Sequence, residues 1–209
     1  MNKNIKPKSR KPFSARIHKF ITDHIYNVDH ILFFSKPLDR PSKFRKLDPK
    51  DTTVVIATTN DEIAPLIASF PERADFFREY IASDITAFYA LRNGEAIAYT
   101  FVATEDFYDK HLWKNTVEIG DGQFFQFAGF VVPGSRGSIA SLVVIQRMHE
   151  YYREKGFTTA LTTVASDNKA SWGVVLKLGF DQLDQAWDAY KLFGLRWSRP
   201  AAVRTWVAL

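Results

Sequence analysis

Cysteine is absent from this 209-residue sequence, and long apolar runs are absent as well. Without cysteine the chain has neither disulfides nor thiolate chemistry, which is typical of a protein from a reducing compartment. The longest aliphatic and aromatic runs, such as residues 31–34, are far shorter than the roughly 20 residues that a membrane-spanning helix needs. The basic N-terminus also lacks the apolar stretch of a secretory signal. We therefore expect a cytoplasmic protein.

Motifs that define several large enzyme classes are also missing. The sequence has no G-x-G-x-x-G after a first strand and no G-x-x-x-x-G-K-[ST], so neither a dinucleotide-binding fold nor a nucleotide triphosphatase is supported. The G-x-S-x-G elbow of a serine hydrolase is absent too. The histidines show no paired ligand spacing, and His18, His24 and His30 lie six residues apart, so no metal site is expected.

What the chain does have is enough apolar content for one folded domain, and a very uneven charge. Hydrophobic residues make up 46% of the sequence, which excludes a disordered chain. Residues 1–50 hold 13 Lys and Arg against 4 Asp and Glu, whereas residues 51–209 hold 15 against 19. We predict a basic N-terminal extension over 1–50 and one domain over 51–209. The extension is interpreted as a solvated tail, with contact to nucleic acid or an anionic membrane as the alternative.

The extension contains three kinds of pattern. Residues 1–11 carry charge with almost nothing to bury, which is typical of a tail. From Ser14 the apolar residues recur at helical spacing, which predicts an amphipathic helix as far as Val28, followed by a short strand near 31–34. The three prolines within 36–51 favour an extended connector.

The larger part of the chain alternates between strand and helix patterns. Asn93-Gly94, between two alternating apolar runs, is the strongest hairpin signal in the sequence. Pro71 separates two predicted helices, and Gly156 and Gly179 are natural stops for two later ones. Strands are predicted at 53–57, 85–92, 95–103, 124–132 and 158–165, with a last strand from Phe180. This order indicates a mixed α/β domain.

The segment 124–156 carries the clearest functional pattern, a strand that enters a helix through the small-residue loop 134–138. Such a turn exposes backbone N–H groups, and the start of the helix adds about half a positive charge. Arg136 adds a full charge, and Gly137 lets the backbone approach a ligand without a Cβ in the way. The pattern favours a binding site for phosphate groups.

Two motifs in this half resemble those of the GCN5-related N-acetyltransferase (GNAT) superfamily. The run VVPGSRGSIASLVVIQRMHEYYREKGF resembles the pyrophosphate-binding motif, with Val131, Pro133, Arg136, Gly137 and Gly156-Phe157 at the family's spacing. The run NKASWGVVLKLGF, residues 168–180, resembles the second family motif. The resemblance covers about residues 52–195 and implies an α/β fold with helices on both faces of a central twisted sheet.

The resemblance also implies a function, the transfer of an acyl group from acyl-CoA to an amine of a small molecule or a protein. Acetyl-CoA is the simplest co-substrate, and the chemistry needs no metal. In the family the strand backbone holds the pantetheine arm and the loop holds the pyrophosphate, which implies contacts at Phe130, Val131, Val132, Arg136, Gly137, Ser138, Ile139, Ala140 and Ser141. Asn168 is expected either to cap the final helix or to reach the cofactor.

The sequence departs from the family at three positions. Ile139 and Ser141 stand where the family usually has Gly and Gly or Ala. Val175 stands where the family often has the Tyr that protonates the departing thiolate. Two alternatives therefore stay open: transfer of a longer acyl chain through a more apolar channel, and a non-catalytic protein of this fold that binds through its basic N-terminus.

Groups for proton transfer are predicted by their position in the sequence. Glu118 and Asp121, just before the central strand, are the nearest acidic candidates for the catalytic base. Gln126, on that strand, is a candidate substrate contact.

Overall fold

A computed structural model describes residues 26–44, 51–136 and 139–203 of the chain. Its largest element is an eight-stranded sheet, accompanied by a separate two-stranded ribbon. The predicted tail over 1–11 and the predicted helix as far as residue 25 lie outside the described residues, as do Gly137 and Ser138.

The strands follow the chain in an order that makes almost every pairing antiparallel. Their bounds are β1 Tyr26–Pro37, β2 Thr53–Ala57, β3 Thr86–Arg92, β4 Glu95–Ala103, β5 Phe107–Asp109, β6 Asn115–Val117, β7 Gln123–Val131, β8 Thr159–Ala165, β9 Asp181–Leu192 and β10 Leu195–Ala201. The sheet order is β10-β9-β1-β8-β7-β4-β3-β2, and β5 pairs with β6. Within this sheet β7 and β8 pair in parallel.

The helices connect these strands, and the last two end at the glycines that the sequence predicts as helix stops. Their bounds are α1 Ala64–Ser69, α2 Ala74–Ala82, α3 Ala140–Glu154 and α4 Lys169–Leu178, with short 3-10 turns at Pro71–Arg73 and Pro133–Ser135. Gly156 and Gly179 follow α3 and α4 with φ of 90° and 93°, the left-handed conformation that glycine adopts without strain. In the described ranges no helix is both long and apolar enough to cross a membrane.

The hairpin prediction is confirmed at the β3–β4 connection. Asn93 and Gly94 have φ of 53° and 83°, as a type I′ turn requires at both central positions. The turn places the two strands in antiparallel register, with Arg92 opposite Glu95. The predicted helix break near Pro71 is confirmed as well, because the 3-10 turn there separates α1 from α2.

Helices cover both faces of the sheet, as predicted. One core lies between the sheet and α1 and α2, and it is rich in aromatic side chains such as Phe70, Phe77 and Phe101. The other lies under α3 and α4 and includes Met148 and Val175. The sheet is therefore the middle layer of a three-layer α/β domain.

The first strand differs from its prediction in length and position. The short strand expected near 31–34 is the twelve-residue β1, which begins at Tyr26 and includes Val28, and it lies between β8 and β9. Residues 31–34 are all buried, since an interior strand is covered on both faces. The predicted boundary at residue 50 therefore does not separate this strand from the sheet.

The end of the chain also holds more structure than the single predicted strand. The strand expected from Phe180 is β9, and a turn at Phe193 and Gly194, with φ of 45° and 86°, leads into β10. Pro200 lies in β10, which is the edge strand of the sheet, a place where a missing backbone N–H is tolerated.

Candidate active site

The parallel strands β7 and β8 are joined at one end and separate at the other. Their ladder runs from the pair Gln123–Thr159 to the pair Gln126–Thr162. Beyond it β7 continues to Val131 paired only with β4, and β8 continues to Ala165 paired only with β1. The result is a wedge between residues 127–131 of β7 and 163–165 of β8, which we name the β7–β8 opening.

A bulge bends β7 at the start of the opening. Tyr99 of β4 faces Phe130 and Phe101 faces Phe127, so two residues of β7 lie opposite Thr100. One of them, Ala128, has a φ of 52°, a conformation that costs a non-glycine residue energy. The Thr100 hydroxyl donates to Phe127 O at 2.9 Å and holds the bulge in place. Gly129, an isolated glycine within the strand pattern, was the available signal for this bulge.

Val131 directs its backbone into the opening. The N–H of Val132 donates to Ile97 O on β4 at 3.0 Å. Because neighbouring residues of an extended strand direct their backbone groups to opposite edges, the N–H of Val131 points away from β4, toward β8. This edge can pair with an extended ligand, and the backbone contact that the resemblance implies for 130–132 stays a prediction.

The loop and helix that follow the opening concentrate positive charge. Arg136 is exposed and extended, with φ −63° and ψ 137°. α3 begins next, and Ile139 precedes it without a side-chain cap on the first N–H groups. Ile139 is 39% exposed, whereas the Ala140 side chain is fully buried. Ser141, in the first turn of α3, is partly buried.

Asn168 caps α4. Its side-chain oxygen accepts a hydrogen bond from Ser171 N at 3.1 Å, so of the two expected roles the structure has the cap. Val175, about two turns further on, is 7% exposed and packs in the core under α4. Its side chain carries no proton to donate.

A cluster that the sequence did not predict lies at the mouth of the opening, on the face of α1 and α2. Arg73, in the helix break, places its guanidinium 4.4 Å from the centre of the Phe130 ring and donates to the Tyr99 hydroxyl. Tyr99 stacks on Phe130 with ring centres 5.6 Å apart. Glu72 pairs with Arg73 Nε at 3.6 Å. The polar residues after Pro71 were the available signal, whereas Tyr99 sits in an ordinary strand pattern.

The titration of Tyr99 is set by its surroundings. Burial raises the pKa of its hydroxyl above the ordinary value, and the bonded Arg73 opposes that rise. Because the guanidinium donates into the hydroxyl oxygen, the hydroxyl hydrogen remains available to another acceptor. The structure thus provides a neutral proton donor next to Phe130.

Gln126 does not occupy the position that its expected substrate contact requires. It is 6% exposed and lies under α3, where its side-chain oxygen is 3.0 Å from His149 Nε2. Burial is the main cause that lowers the pKa of His149, to about 3, so the ring is neutral at physiological pH. Gln126 and His149 tie β7 to α3 at the joined end of the β7–β8 pair.

The two acidic candidates lie away from the opening. Glu118 and Asp121 are exposed and precede β7, whereas the opening lies at the end of that strand. Ten residues of extended chain between Asp121 and Val131 span about 30 Å. The structure therefore places Val131 at the end of β7 that leads to Arg136 and α3, whereas the predicted bases precede the start of that strand.

Comparison with known proteins identifies the fold. No protein-family model matches the sequence, and no curated protein matches it. A tandem GNAT protein from the clavulanic acid biosynthesis pathway, solved without acetyl-CoA, is 17% identical with a TM-score of 0.56, over 96% of this chain and 62% of that one. A GCN5-related N-acetyltransferase from Sphaerobacter thermophilus is 14% identical with a TM-score of 0.55, over 86% and 56%. The chain thus spans about three fifths of the length of these proteins.

Proposed function

Since the chain has the GCN5-related N-acetyltransferase fold, we propose that it is an acyl-CoA-dependent N-acyltransferase that moves an acetyl group from acetyl-CoA to a primary amine by direct attack. The observation that carries this proposal is the β7–β8 opening, which leads from an unpaired strand edge to an exposed arginine and a helix start. An extended arm that ends in phosphates matches this sequence of groups.

The residues of the opening divide the binding of the donor between them. Val131, with its neighbours Phe130 and Val132, offers backbone groups to the pantetheine arm, and an N–H aimed at the carbonyl oxygen stabilises negative charge that develops there. Arg136 and the first N–H groups of α3, in the stretch 136–141, offer positive charge to the pyrophosphate. Bound acetyl-CoA supplies an acyl group that is already activated as a thioester.

Proton transfer falls to the cluster beside Phe130. Tyr99 is the candidate general acid, because its hydroxyl already accepts from Arg73 and keeps its own hydrogen to donate. Glu72, exposed and paired with Arg73, is the candidate base for the incoming amine through a water molecule. These two replace Glu118 and Asp121 in the proposal, because those residues lie about 30 Å along the strand from Val131.

Isothermal titration with CoA, acetyl-CoA and longer acyl-CoAs tests the donor, and an amine screen that follows free thiol release tests the transfer. We expect acetyl-CoA to bind and at least one amine of a small molecule or protein to be acylated. Tyr99→Phe should lower kcat by on the order of 10²-fold and leave KM for acetyl-CoA nearly unchanged. Tighter binding of a longer acyl-CoA would identify the donor as that chain, and no acyl-CoA binding would defeat the proposal.

A further inference from the structure

A second cavity, of about 430 Å³, lies between α3 and the segment that follows β1. Apolar side chains from both sides form part of its wall, among them Leu38, Phe44 and Leu142. Its volume falls in the range of roughly 300–1,000 Å³ that is usual for small-molecule pockets. The cavity is therefore large enough for an organic molecule rather than a bare ion.

Lys36 is the buried cation of this cavity. It lies in β1 opposite Ala160, and only 4% of its surface is exposed. Burial lowers its pKa below the ordinary value, and the positive charges of Arg153 and Arg40 lower it further. Lys36 lines the cavity, so its ammonium group can compensate the charge of an anion bound there.

The acidic groups around the cavity are exposed or already engaged. Glu150 accepts a hydrogen bond from Gln146 Nε2 at 3.1 Å, and Asp39 is exposed. Arg40 is paired with Asp181 at 2.5 Å. In the described part of the chain, Arg153 has no ion-pair partner.

We propose that this cavity binds a small organic phosphate, whose dianionic head contacts Lys36 and Arg153 while its organic part packs on the apolar wall. A phosphate dianion compensates both cations, whereas a monocarboxylate leaves one of them uncompensated. Arg40, held by Asp181, supplies further positive potential at the same side of the cavity.

The position separates the cationic end of this cavity, with Lys36 and Arg153, from the proposed acyl-CoA site. Lys36 lies at the level where β7 and β8 are still joined, since Ala160 pairs with both Lys36 and Phe124. Arg153 lies in the last turn of α3, about 20 Å along the helix from Ala140. The proposal therefore does not depend on whether the chain transfers acyl groups.

The test is titration of the full chain with phenyl phosphate, a dianion with a small apolar group, beside benzoate and phenol as the carboxylate and neutral probes. Lys36→Met removes the buried charge at nearly constant length, and Arg153→Met removes the exposed one with little risk to folding. Lys43→Met is the matched control, because Lys43 is exposed on the same segment and does not line the cavity.

We expect phenyl phosphate to bind, Lys36→Met to weaken binding roughly tenfold or more, Arg153→Met to weaken it severalfold, and Lys43→Met to change it by less than about twofold. Ligand-free Lys36→Met should melt no lower than the unmutated protein, because a buried charge is lost. Equal binding to the unmutated and Lys36→Met proteins, or displacement by saturating acetyl-CoA, would overturn the proposal. Tighter binding of benzoate would overturn the assignment to phosphate.

Discussion

The two halves of β7 differ in how they meet the neighbouring strand β8, because the first half pairs with it and the second half does not. Over Gln123–Gln126 the strand pairs with β8, and Phe125 and Gln126 pair with β4 as well, whereas over 127–131 it pairs with β4 alone. The joined half carries the buried ring of Phe124 under α3 and that of Phe125 on the other face, whereas the open half carries a bulge, an unpaired edge and the approach to Arg136. One strand thus serves two purposes, since backbone groups that are saturated stabilise the fold and those left unpaired can bind a ligand.

The largest effect is expected in the joined half, from Phe124→Ala. Phe124 is fully buried and stacks on Tyr152 with ring centres 4.5 Å apart, so truncation should lower the free energy of unfolding by about 3–5 kcal/mol. Urea denaturation measures the change. Phe193→Ala, at a position that is 74% exposed, is the control and should stay within about 0.5 kcal/mol. A loss below about 1 kcal/mol at Phe124 would mean that this half is not the structural one.

Arg136→Ala, at the open end, should have the opposite pattern from Phe124→Ala: it should weaken ligand binding and leave stability nearly unchanged. Loss of one charge beside the phosphates should weaken acetyl-CoA binding by about 1–3 kcal/mol, as measured by calorimetry. The melting temperature should barely move, because Arg136 is exposed. Arg147→Ala, equally exposed in the middle of α3, is the matched control. Equal losses in the two variants would show that general charge, and not this position, attracts the ligand.

Ala128 tests whether the bulge separates the two halves. At its φ of 52° a β-branched side chain is strongly disfavoured, so Ala128→Val should destabilise the fold by on the order of 1–3 kcal/mol. Ala128→Gly should be neutral or stabilising by up to about 1 kcal/mol, since strain relief offsets the entropy of the unfolded chain. Denaturation of both variants decides the point. If valine were tolerated as well as glycine, β7 would not be bulged in solution.

The smallest effect is expected at Asn168, where the structure has a helix cap. Asn168→Ala should cost about 1 kcal/mol of stability, whereas Asn168→Asp should cost little, because aspartate also caps. Acetyl-CoA affinity should be the same in both variants. If Asn168→Ala lost affinity for acetyl-CoA while its stability was unchanged, Asn168 would be a cofactor contact and not mainly a helix cap.

The elements that were predictable from the sequence are those with a local cause. Asn93-Gly94 requires a left-handed turn, Pro71 interrupts a helix, and Gly156 and Gly179 end α3 and α4, so each of these predictions is confirmed. The position of Arg136 between a strand and a helix was predictable for a similar reason, and its role in binding phosphate stays a prediction.

The rest depends on contacts between distant parts of the chain. No local pattern indicates that β1 enters the sheet between β8 and β9, or that Gln126 meets His149 across 23 residues. Hydrophobic periodicity also cannot show where two parallel strands separate. The predicted catalytic bases, Glu118 and Asp121, were therefore chosen only because they lie close to the central strand in sequence. Arg73 and Tyr99 meet only because the break between α1 and α2 lies over β4 and β7.

The central claim is that an acyl-CoA arm pairs with the open half of β7. Residue-resolved amide hydrogen exchange with and without saturating acetyl-CoA tests it most directly, because the N–H of Val131 lies on the unpaired edge while the joined half, Gln123–Gln126, is already bonded to β8. We predict that acetyl-CoA slows exchange at Val131 by on the order of tenfold or more and leaves exchange within Gln123–Gln126 nearly unchanged. Binding of acetyl-CoA with unaltered exchange at Val131 would contradict the account.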